Sequence, residues 1–182
     1  MRTTTMLALV GLASLACTTA CERKAANTTP AQGTTTAANA PAVLPANFFL
    51  PAAPAEAKPV EEVKKTAKVG DTVAISGRVG GSSEPFVNGR AVFTLVGPGI
   101  PACSDTPGDA CEKPWDYCCE KKEDIAAHSA TIQVVDSGGR PLNVNMKGEH
   151  GIKELSDMVI VGKVAAADGP NLVVNASNIY VK

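Results

Sequence analysis

With 182 residues and a formal charge of −1, the chain has room for one domain and some extra segments, but no general field that would draw in nucleic acid or an anionic membrane surface. Charged residues make up 19% and aromatics 4%, so a core must come mainly from Val, Ile, Leu and Ala, and short Val-rich runs among many Gly and Pro point to an all-β domain. From Val69 onward ten Lys and Arg stand against fourteen Asp and Glu, which counts against a basic stripe for phosphates and disfavours nucleic acid as a partner.

Residues 1–21 read as a targeting segment. Arg2 supplies a minimal positive start, and Met6 to Ala16 is apolar but too short to span a bilayer as a helix. Small residues lead into Cys17 and again into Cys21, as in a bacterial lipobox, so one of the two is expected to carry a lipid anchor. The apolar run abuts Cys17, whereas cysteine parity favours Cys21; neither has Leu three places earlier, and plain secretion is the alternative. The expected location is the cell envelope or periplasm, with the membrane reached through the lipid. Residues 22–59 are rich in Ala, Pro and Thr and should form a disordered tether, because they bury too little to offset their ordering entropy. Phe48-Phe49-Leu50 reads there as a sticky spot, with docking on the domain as the other option.

The folded domain is expected over 60–182. Pro59 suits the first position of a helix, and Val60, Val63 and Ala67 make one apolar stripe. Val73, Ile75 and Val79 alternate with polar or small residues and predict a strand with one buried face; Gly77, Gly80 and Gly81 allow a bend after it. Further strands are predicted at 91–96, at 131–135 with a turn over Asp136-Ser137-Gly138-Gly139, at 142–146 as the second arm of that hairpin, at 158–165, and at 172–176 with 179–181. Gly148 to Ser156 should hold a short helical turn.

This order, with a short helix before the fourth barrel strand, is that of a small five- to six-stranded OB-fold barrel. Residues 60–182 resemble the bacterial OB-fold family of periplasmic, BOF-like proteins, and more loosely OB modules of anticodon-binding type. The resemblance is carried by Val60-Glu61-Glu62-Val63, by Asp71-Thr72-Val73-Ala74-Ile75-Ser76-Gly77-Arg78-Val79, by Val134-Val135-Asp136-Ser137-Gly138-Gly139 and by Val159-Ile160-Val161-Gly162-Lys163-Val164. It implies that 131–136 is the family's second strand and 91–96 an added or extended one, because residues 80–129 interrupt the family's short first link. The stretch Trp115-Asp116-Tyr117-Cys118-Cys119-Glu120 is similar to an insert in small bacterial envelope proteins, and the whole reads as an exported OB-fold lipoprotein with a cysteine-rich insert at 97–129.

Four of the six cysteines, Cys103, Cys111, Cys118 and Cys119, lie in that insert. In an exported chain disulfides are the first reading, with Cys118 and Cys119 reaching back to Cys103 and Cys111, one each, in either pairing. A metal held by the same four thiolates is the second; the x7, x6, x0 spacing is poor for it, because adjacent cysteines seldom aim both sulfurs at one ion. Redox exchange is the third, and seven acids against three lysines between 103 and 124 should raise the thiol pKa values and slow attack. No cofactor is expected, and no hydrolase or nucleotide motif is present.

The sequence therefore predicts a non-enzymatic binding or structural module for a protein, peptide or small molecule of the envelope. Phe86, Arg90, Trp115, Asp116 and Tyr117 are its candidate contacts, although for Trp115 the favoured reading is a plug that fastens the insert onto the barrel, since a small loop needs an apolar anchor. The alternatives are a metal- or redox-active cysteine protein and a nucleic-acid-binding OB module.

Overall fold

A computed structural model describes residues 42–182. The expected leader, the lipidation candidates Cys17 and Cys21 and most of the expected tether lie outside the described residues. Among the described residues no helix is long and apolar enough to cross a membrane.

The domain is mostly β. Its elements are β1 (Lys58–Pro59), α1 (Val60–Thr66), β2 (Thr72–Val79), β3 (Val92–Val96), α2 (Lys122–His128), β4 (Ser129–Gln133), β5 (Asp157–Asp168) and β6 (Asn171–Val181), with 3₁₀ turns at Cys103–Asp105 and Glu149–Gly151. They form one six-stranded sheet in the order β1-β2-β3-β4-β6-β5, and β2 also pairs antiparallel with β5 along Thr72–Arg78. Each of β2 to β6 thus has a strand on both sides, and β4 runs parallel to β6. Register shifts at Val161/Gly162 and Val164/Ala166 bend the long β5–β6 pair, as bulges do.

The alternation read in β2 places Ile75 and Val79 inside, where they meet Phe93, Leu95, Ile132 and Ile160 in the sheet core. Helix α1 turns Val60 and Val63 onto that core, as its stripe requires. Lys64 on α1 donates through Nζ to the carbonyls of Ala126 and Ser129, tying α1 to the end of α2.

Two expectations are corrected. Phe48-Phe49-Leu50 is not a loose spot in a linker: Phe48 is 1% exposed in the core, Ile179 donates to its carbonyl, and Leu50 N–H donates to Ile179 O at 2.7 Å, so the segment runs beside β6. The strand expected at 91–96 is present as β3, which stands between β2 and β4. Residues 142–146 form no strand; only Pro141 bridges, to Val135. Pro141 lacks an N–H to continue a ladder, and beyond it Leu142, Val144 and Met146 turn inward as packed coil.

Candidate metal centre

The cysteine loop leaves β3 at Gly97 and returns through α2 into β4. It has its own small apolar clamp: Val96, Ile100, Ala102 and Tyr117 are buried together, with Ile125 and Leu155 packed against them. Tyr117, not Trp115, is the plug. Its ring is 2% exposed, and burial pushes its hydroxyl up to about 12, so it stays neutral. Tyr117 and Arg78 line a cavity of about 360 Å³ beside the loop. Trp115 is half-buried; its indole N–H donates to Ser83 O at 3.2 Å, and its carbonyl accepts from Gly81 N–H at 2.8 Å. Lys113 pairs with Glu84 at 3.0 Å on the same β2–β3 connection.

The two limbs of the loop are joined by Cys103 N–H donating to Pro114 O at 3.1 Å. Arg78 on β2 anchors the first limb, reaching Asp105 at 2.7 Å and Asp157 of β5 at 3.2 Å. Asp105 also accepts from Ala102 N–H, closing the 3₁₀ turn that carries Cys103. Two aspartates then shape the chain in the same way. Asp109 Oδ1 accepts the N–H of Cys111, and Asp116 Oδ1 accepts the N–H of Cys118, both at 2.8 Å, so each Asp-x-Cys step is an Asx turn. Between Asp116 and Cys118 sits Tyr117 at φ 59, a left-handed conformation that a tyrosine rarely takes and that turns the chain sharply.

The consequence is convergence. The sulfurs of Cys103, Cys111, Cys118 and Cys119 all lie within 4.8 Å of one another. Cys103 and Cys118 are 3.7 Å apart, and Cys111 and Cys118 are 2.7 Å apart. No pair is at the disulfide length of about 2.05 Å, and all four are free thiols. None of the expected disulfides is at bonding distance here: Cys118 faces both Cys103 and Cys111, and the sulfurs gather as one group of four. The objection to a metal from adjacent cysteines also falls, because the turn at Tyr117 brings Cys118 and Cys119 to the same point.

The acids act more specifically than as a diffuse field. Asp109 Oδ2 lies 3.2 Å from Cys119 Sγ, and this bond, followed by the Cys118 thiol, pushes Cys119 up to about 12. Cys111 is raised by Cys118 and Asp109. Cys118 is raised on balance: its bond with Cys111 acts the other way, but Cys103, desolvation and Asp116 outweigh it. Cys103 alone is drawn below the ordinary thiol range; burial opposes this, but the Cys119 N–H and the neighbouring thiols more than offset it. Any ion that enters must displace protons from the raised thiols. Four sulfurs in this arrangement are a donor set for a soft ion.

Of the other sequence candidates, Asp116 and Tyr117 build the site, and Trp115 fastens it. Phe86 packs on Phe93 at 6.0 Å, and Arg90 lies exposed in the turn after Val87; neither is part of the cysteine cluster. His128 bonds the Asp124 carbonyl through Nδ1, and His150 stacks on Phe49. Sequence reasoning missed Arg78 and Asp109. The repeated Asp-x-Cys step was the visible signal for Asp109; Arg78 had none beyond its polar place on β2. Comparison with known protein families and with curated proteins finds no match to this chain.

Proposed function

We propose that this chain is an exported β-barrel module of OB type whose cysteine loop binds one soft metal ion through Cys103, Cys111, Cys118 and Cys119. The single observation that carries the reading is the mutual approach of the four sulfurs within 4.8 Å. A tetrahedral ion with bonds of about 2.3 Å holds its sulfurs about 3.8 Å apart, and the Cys103–Cys118 separation of 3.7 Å already has that value. Zn²⁺ and Cu⁺ are the ions this donor set suits. The β2-β3-β4-β6-β5 ladder returning to β2 supports a closed barrel, and the leader-like start supports export. Arg78, Asp109, Asp116 and Tyr117 hold the cysteines in place, and a bound ion would supply charge and binding energy there.

A second reading has one observation in its favour. Cys111 and Cys118 are the nearest sulfurs, at 2.7 Å, and in an oxidising compartment they would close first as a disulfide clasp.

Titration of the reduced full chain with Co²⁺ separates the two. The metal reading expects the visible spectrum of a tetrahedral cobalt thiolate, saturating at one ion per chain and displaced by Zn²⁺. Absence of that spectrum in the fully reduced protein overturns it.

A further inference from the structure

In this chain the fold and the thiol cluster are separate constructions. The sheet core, from Phe48 to Ile179, contains no cysteine. The loop is fastened by its own clamp of Val96, Ile100, Ala102 and Tyr117, by Trp115 on Ser83 and Gly81, and by Arg78 on Asp105. These contacts fasten the loop to the sheet through residues other than the four cysteines. Structural zinc sites are the opposite case: their metal supplies the folding energy, and their coordination is closed.

The four cysteines also differ in exposure. Cys103 is 2% exposed, Cys111 is half-buried, and the adjacent Cys118 and Cys119 are both exposed. One buried cysteine with two accessible ones on consecutive residues would let an incoming ligand approach a bound ion from the side of Cys118 and Cys119.

Resting on the metal reading above, we propose that the ion is exchangeable cargo, passed to or from a thiolate-bearing partner through the exposed pair Cys118 and Cys119. The step is a ligand substitution without electron transfer. A sulfur of the partner bonds to the ion as the bond to Cys119 breaks; the proton released by the incoming thiol matches the one taken up by the departing thiolate. Exchange at Cys118 follows, and Cys103 and Cys111 let go last. The ion keeps its oxidation state throughout.

The test uses the reduced full chain loaded with Zn²⁺, and follows zinc release to a chromogenic chelator as a small-molecule thiol is added. The rate of release should rise in proportion to thiol concentration above the thiol-free rate. Cys119→Ser should still bind zinc, more weakly, with most of that acceleration lost; Cys103→Ser should lose binding altogether. Far-UV circular dichroism and the melting curve of the zinc-free chain should stay those of a folded domain. Release that ignores thiol, or a chain that unfolds when zinc is removed, overturns the cargo proposal and leaves the metal reading standing. A reduced chain that takes up no zinc overturns both.

Discussion

The ring of Tyr117 lies against the backbone of Gly80 so closely that a Cβ at Gly80 would sit 2.8 Å from Tyr117 Cε2 and 2.6 Å from Trp115 O. The end of β2 can only receive the cysteine loop if residue 80 has no side chain. Gly80→Ala should therefore lift the loop from the sheet at a cost of about 1–3 kcal/mol. Metal affinity should fall while the sheet core, which does not include Tyr117, keeps its far-UV circular dichroism. Unchanged affinity in this variant would show that the Tyr117 plug does not position the sulfurs.

Asp109 and Asp116 touch the site both as turn-forming acceptors and as negative charges, and one pair of substitutions separates the roles. Asp116→Ala removes the acceptor of the Cys118 N–H and should weaken metal binding about 10–100-fold. Asp116→Asn retains an acceptor and should keep most of the affinity. The same contrast is expected for Asp109, whose Oδ1 holds the Cys111 N–H. Competition titration against a chelator of known affinity measures both; equal losses in the Ala and Asn variants would make charge, not turn geometry, the cause.

Phe48 makes the segment before β1 part of the folded domain. Its ring is 1% exposed, and Phe48→Ala should cost about 3–5 kcal/mol. Val43, 90% exposed in the same segment, should tolerate Ala within about 0.5 kcal/mol. Chemical denaturation of the two variants checks the contrast, which disappears if the segment is only a tether.

Asp136 is one source of acid sensitivity away from the cysteines. The N–H of Arg140 is the largest influence; with the Arg140 guanidinium and the N–H of Gly138 it holds the carboxyl below the usual carboxylate range, more than offsetting burial, the second-largest. Because the folded pKa is depressed, the stabilisation is fully present above the ordinary aspartate range and is lost as pH falls through the folded value. Asp136→Asn should melt lower than the parent at pH 7, with the gap closing in acid. A gap of the same size at every pH would contradict this.

What could be read in advance was whatever the sequence expresses as a period. The stripe of α1 and the alternation of β2 are visible because one face of each meets the core. Helix α2 buries no residue, so it offers no stripe to read. Residues 142–146 alternate like a strand because Leu142, Val144 and Met146 dip into the core as coil, which periodicity does not distinguish from a ladder. Phe48 was hidden by its setting, one aromatic pair among Ala and Pro with no repeat around it. The four cysteines were legible as a group, but their meeting depends on a positive φ at Tyr117 and on two Asx turns, which spacing alone does not encode.

X-ray absorption at the metal edge of the reduced, metal-loaded full chain tests the central claim most directly. The account predicts one ion per chain with four sulfur neighbours at about 2.3 Å for zinc. An ion surrounded by oxygen or nitrogen donors, or a chain that holds no ion with its four thiols reduced, would contradict it.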